Sequence, residues 1–126
     1  LFNRGVALYH AGRQREAAES YREVVSIDPD FAHAHSALGV SLAEVELFDE
    51  AITSHRRAVQ LDARNPEFRN NFGLALERAR RPGEALQEFD LALQLDPGYS
   101  AAWLNRGVAL HRLWCLDEAL SSVERA

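Results

Sequence analysis

The sequence predicts an all-α solenoid of stacked antiparallel helix pairs, and two observations carry the prediction. Gly5, Gly39, Gly73 and Gly107 stand 34 residues apart, and the sets Ala17, Ala51, Ala85, Ala119 and Leu8, Leu42, Leu76, Leu110 keep the same interval. A fixed period of this length is one supersecondary unit copied along the chain, each copy burying its apolar face against its neighbours. Within a copy the apolar spacing is helical. Ala51, Ile52, His55, Ala58, Val59 and Leu61 follow one another at the i, i+3, i+4 and i+7 steps of a single helix face.

The glycines define four registers, 1–31, 32–65, 66–99 and 100–126, the first and last partial, in one array over 1–126. The first register begins inside a first helix, and its second helix opens at Arg15-Glu16. Asp28-Pro29 closes that helix, because a residue before Pro is pushed out of the helical region. In the second register the spacing predicts helices over Phe31–Val45, with Leu38, Gly39 and Leu42 on one face, and over Phe48–Leu61. Asp49-Glu50 puts acid in the first turn of the latter, where the helix dipole favours it. In the third, Pro82-Gly83 falls in the turn between the helices, Glu84 supplies the acid and Asp96-Pro97 the stop. In the fourth, Asp117-Glu118 opens a second helix near whose close the chain ends. Small Gly and Ala residues mark where paired backbones approach, since packed helix axes lie only about 8–10 Å apart.

Composition narrows the function. An apolar share of 47% supplies a core, and a net charge of -5 gives no general attraction to phosphates or anionic lipid. Neither nucleic acid nor membrane is therefore expected as a partner. All 14 basic residues are Arg, a bias attributed first to coding composition and second to a surface suited to carboxylate contacts. Cys115 is the one cysteine, so no intrachain disulfide is possible and a reducing, cytoplasmic setting is the default expectation. With no Met, the sequence reads as a piece of a longer protein.

Four registers in phase resemble the tetratricopeptide repeat (TPR) family. The third supplies Phe72-Gly73, Leu76, Ala85, Phe89, Ala92 and Pro97, and the fourth Trp103, Gly107, Leu110, Ala119, Val123 and Ala126. The second supplies Leu38-Gly39, Leu42, Ala51, His55 and Ala58, with Ala63 where Pro is usual; the first retains Gly5, Leu8, Ala17, Tyr21, Val24 and Pro29. Departures are few: Arg4 and Arg106 stand where Leu is usual, and His55 replaces an aromatic residue. The hexapeptide Asn3–Leu8 recurs identically at Asn105–Leu110. The resemblance implies a right-handed superhelix whose first helices line a concave groove.

Groove positions are expected opposite the Gly-Leu seam of each first helix. They are Phe2, Asn3, Val6, Tyr9 and His10; His33, Ser36, Ala37, Val40, Ala43 and Glu44; Glu67, Asn70, Asn71, Leu74, Glu77 and Arg78; and Ala101, Leu104, Asn105, Val108, His111 and Arg112. The residue two before each Gly is Asn3, Ala37, Asn71 and Asn105. A carboxamide both donates and accepts, so this row, broken at Ala37, is suited to the main chain of an extended peptide. The row is similar to the asparagine ladder in the TPR region of O-linked N-acetylglucosamine transferases. The family's two-carboxylate clamp is not expected, because Phe2, Val6, Ser36 and Val40 replace its basic and Asn positions. Arg78 and Arg112 remain candidate anchors for an acidic ligand.

Little else suggests chemistry. His33 and His35 diverge on a helix, and no Cys or close carboxylate completes a four-ligand metal set. His111 and Cys115 are four apart, but the helix is expected to end between them, leaving Cys115 a core or turn residue. Trp103 and Trp114 are expected in the core between repeats. No catalytic residues and no cofactor are assigned. The sequence thus reads as a protein-interaction module and scaffold that holds an extended peptide of a partner. The alternatives are a substrate-recognition arm of a larger enzyme, glycosyltransferase-like by resemblance, and a structural repeat that self-associates through uncapped ends.

Overall fold

The computed structural model describes residues 1–125, with side chains through 118, and contains seven helices. In chain order these are α1 (Phe2–His10), α2 (Gln14–Ile27), α3 (Ala32–Glu44), α4 (Phe48–Leu61), α5 (Pro66–Arg78), α6 (Pro82–Leu95) and α7 (Ser100–Arg125). The first six form three antiparallel pairs. Each second helix then packs on the first helix of the next pair, α2 on α3, α4 on α5 and α6 on α7. The first helices α1, α3, α5 and α7 also touch one another in sequence, making a continuous inner wall.

Local chemistry explains the boundaries. Asp28, Asp62 and Asp96 each follow the last residue of a second helix with backbone outside the helical region, at φ of -130°, -144° and -142°. Asn65 caps α5, its Oδ1 accepting the Phe68 amide at 3.1 Å, and Pro66 takes the first helical position where its missing N–H costs nothing. The triplet Asn65-Pro66-Glu67 is a start signal as plain as any in the chain. Pro82 plays the same part in α6, so the turn lies at 79–81, just before the Pro82-Gly83 pair expected to form it.

Packing explains the glycine period. A Cβ on Gly5 would meet the Tyr21 ring at 2.5 Å, and one on Gly39 would meet His55 at 2.6 Å; Gly73 faces Phe89 in the same way. The small residue thus makes room for a ring 16 residues on, from the partner helix. Ala17, Ala51 and Ala85, all fully buried, sit one turn before those rings. Around them the core runs along the array, Tyr21, Leu38 and Leu42 in one cluster and Phe68, Phe72, Leu76 and Phe89 in the next.

The fourth register departs from expectation. In place of a helix pair, α7 continues through the expected turn as one 26-residue helix. Trp103 and Trp114 are consequently exposed instead of buried between repeats, and Cys115 lies exposed on a helix, not in a turn. The helix does not end between His111 and Cys115, whose Nε2 and Sγ stand 3.6 Å apart. The side chains of Ala119, Val123 and Ala126 lie outside the described residues.

Candidate functional site

The inner wall carries two adjoining cavities. One, of about 340 Å³, is bordered by Phe2, Tyr9, His33, Val40, Phe68 and Asn71 among others. The second, of about 320 Å³, is bordered by Tyr9, Val40, Glu44, Asn71, Leu74 and Arg78 among others. Tyr9, Val40 and Asn71 belong to both, so the two form one groove across α1, α3 and α5. These three residues face the same space because α1 touches α3 and α3 touches α5, each helix contributing one of them.

The groove is mainly apolar, with charge placed at its edges. Arg78 Nη1 donates to Glu44 Oε1 at 3.1 Å, and its guanidinium lies 6.0 Å from the centre of the Phe48 ring. That arginine is therefore already paired with a carboxylate of the preceding register. Glu67 borders the first cavity and contributes a negative edge. Tyr21 forms part of the first cavity's floor, and burial, followed by the nearby Tyr9, raises its phenol above the usual tyrosine range. It stays protonated and available as a donor at neutral pH.

The predicted site residues divide into two groups. Tyr9, Asn71 and Arg78 come together in the groove, and Asn3 stays exposed without bordering either cavity. Asn70, Asn105, Glu77 and Arg112 meet instead at the seam of α5 and α7. Asn105 Nδ2 donates to Asn70 Oδ1 at 3.0 Å, with Asn70 buried. The buried Glu77 carboxylate forms an ion pair with Arg112 Nε, without an aligned hydrogen bond. Tyr99 adjoins this seam. Burial, followed by Glu67 and Asp96, raises its phenol, and a hydrogen bond with Asn70 partly offsets the rise. Sequence reasoning missed Tyr21, Phe68, His55 and Ala75 as lining residues. All four are core positions by periodicity, and nothing in their spacing marks them as also reaching a surface.

Elsewhere the surface is laced with Arg–carboxylate contacts within and between registers. Arg22–Glu50 and Arg57–Asp30 are exposed, whereas Arg69–Glu88, at 3.0 Å, is largely buried. The exposed ones contribute little stability each. Among the described residues no group of three or more His, Cys, Asp or Glu stands close enough to hold a metal ion. No helix among them is long and apolar enough to cross a membrane.

Comparison with known families places the chain. The TPR repeat pattern matches residues 2–45, and the Tetratricopeptide repeat pattern matches 36–100 and 73–126. The chain belongs to the tetratricopeptide repeat family. No curated protein matches it by sequence. Among solved structures it is similar to the second TPR domain of human RPAP3, determined in complex with the HSP70 peptide SGPTIEEVD. That match has a TM-score of 0.81 and 22% identity, covering 85% of this chain and 89% of that one. It is also similar to the first TPR of Spaghetti (RPAP3), bound to the HSP90 peptide SRMEEVD, with a TM-score of 0.84, 19% identity and 88% of each chain covered. The Thermobaculum terrenum O-GlcNAc transferase matches at a TM-score of 0.82 and 27% identity over 87% of this chain, but only 21% of that enzyme. The architecture shared with these structures is the all-α TPR solenoid.

Proposed function

We propose that the inner face of α1, α3 and α5 binds an extended segment of a partner protein. The observation that supports this reading is the continuous groove centred on Tyr9, Val40 and Asn71. Its walls offer apolar surface to side chains. The Asn71 carboxamide both donates and accepts, which matches a peptide main chain. Asn3 extends the row along the exposed edge. Asn105 and Asn70, bonded to each other, hold α7 against α5 and so fix the far wall. Arg78 and Arg112 each already face a glutamate, Glu44 and Glu77 respectively, which disfavours an acidic ligand. The segment is therefore apolar in character, unlike the acidic peptides of the RPAP3 complexes.

Selection from a displayed peptide library, followed by fluorescence polarisation, tests this. Selected peptides should bind Asn71→Ala and Tyr9→Ala, both verified as folded by circular dichroism, roughly threefold to tenfold more weakly, in line with the loss of one hydrogen bond or contact. Peptide SRMEEVD should bind the native chain more weakly than the selected ones. Unchanged affinity in both variants would move the site away from the groove.

The likeness to part of an O-GlcNAc transferase favours a second reading, in which the array presents substrates to an enzyme of which it is one arm. The remainder of the coding sequence decides it, by containing or lacking a catalytic domain.

A further inference from the structure

The hexapeptide Asn-Arg-Gly-Val-Ala-Leu occurs twice, and the structure treats its two copies differently. At residues 3–8 the glycine lies under the Tyr21 ring of α2, as Gly39 lies under His55 of α4 and Gly73 under Phe89 of α6. At residues 105–110 nothing lies within 4 Å of a Cβ built on Gly107. The face of α7 equivalent to the one that each other first helix packs against its own partner helix has no cover among the described side chains. Trp103, Leu104, Val108 and Leu116 are exposed along it and, with Arg80 and Pro82, border a cavity of about 1070 Å³. This cavity shares no lining residue with the Tyr9–Asn71 groove.

The turns show why the cover is missing. Each of the three closed pairs turns through a middle residue in the left-handed region: Gly12 at φ 78°, Glu46 at 66° and Arg80 at 64°. Thirty-four residues after Arg80 stands Trp114. Glu46 and Arg80 take that conformation with long polar side chains, Arg80 ahead of Pro82. The apolar run Leu113-Trp114-Cys115-Leu116, in contrast, contains no Gly, Asn, Asp or Pro to favour a break, and helical backbone is open to all of it. The helix accordingly continues straight through. Yet residues 116–126 carry the code of a second helix, since Leu116, Ala119 and Val123 follow Pro82, Ala85 and Phe89 by 34. The sequence complementary to the bare face exists, and a straight α7 at about 1.5 Å per residue carries it away from that face.

We propose that this face is covered by residues 116–126 of a second copy of the chain. Two chains exchange these segments, each α7 passing straight from its own array onto the partner's Gly107 face, and so form a two-fold domain-swapped dimer. Asp117-Glu118 at the head of the exchanged segment arrives beside Arg80 at the rim, opposite in charge.

Cysteine cross-linking tests the exchange in the full 126-residue chain. With Cys115→Ser as background, Gly107→Cys and Val123→Cys together should give a disulfide-linked dimer on oxidation, because register places Val123 over Gly107. An intramolecular disulfide alone, or no cross-link, overturns the proposal. Light scattering on the native chain supplies a measurement free of variants. A dimer mass is expected, with dissociation shifted at least about tenfold toward monomer by Trp114→Gly, which lets the chain turn back on itself. A native chain that stays monomeric up to roughly 100 µM, where even modest association would show, overturns the proposal. So does a dimer indifferent to Trp114→Gly.

Discussion

Replacing His55 by Phe should remove a defined part of this protein's acid sensitivity. His55 is almost wholly buried, stacked near-parallel with Phe72 at a centroid distance of 6.3 Å, and its Nδ1 has no hydrogen-bond partner. Burial lowers its pKa from the ordinary histidine value of 6.5 to about 4. The folded state therefore holds the ring neutral at pH values where the unfolded chain protonates it. Above pH 6.5 both states are neutral and the group is silent. Between pH 6.5 and 4 the unfolded chain binds the extra proton, so stability falls as pH falls; below 4 the loss levels off. Each unit of pH in that window costs about 1.4 kcal/mol, giving about 2 kcal/mol by pH 5 and about 3 in all. Phe fits the seat, since Tyr21 and Phe89 occupy the same register against Gly5 and Gly73. Urea unfolding followed by circular dichroism at pH 7.5 and 5.0 would measure the effect. Carboxylate titration is common to both proteins and cancels in the difference. The native chain should lose about 2 kcal/mol more than His55→Phe over that step. Identical pH dependence in the two would refute the assignment of the imidazole as the buried, neutral group.

Three further outcomes follow from the packing. Gly73→Ala forces a methyl into the Phe89 ring and should cost about 1–3 kcal/mol, while Gly83→Ala, with open space around it, should gain up to about 0.5–1 kcal/mol; thermal melts of the two moving the same way would contradict the contact. Asn105→Ala leaves the buried Asn70 carbonyl unpaired and should cost about 1–3 kcal/mol by denaturant titration, a neutral result showing that water replaces the bond. Amide exchange should begin in the terminal registers, α1 first, since each repeat is held only by its neighbours. Uniform protection from end to end would disprove that order.

Much of the architecture is written in the sequence because its determinants are local. Helix α4 spans Phe48–Leu61 as its apolar spacing indicates, and α3 falls one residue inside the expected range at each end. The inner-face positions Tyr9, Val40, Asn71 and Leu74 were equally legible, since a helix of known phase fixes which residues share a side. Other features needed tertiary structure. Asn105 bonding to Asn70, Arg78 to Glu44 and Arg112 to Glu77 depend on how far one helix slides along the next, an offset that 34- or 35-residue separations do not reveal. The fate of the fourth register depended on whether the backbone leaves the helix over 113–115. Its glycine, its alanine and its acidic pair all announce a second helix. The turn before that helix requires a left-handed residue, and Trp114 occupies that position. Periodicity reports which side chains want burial; only the folded backbone reports whether the chain can turn to bury them.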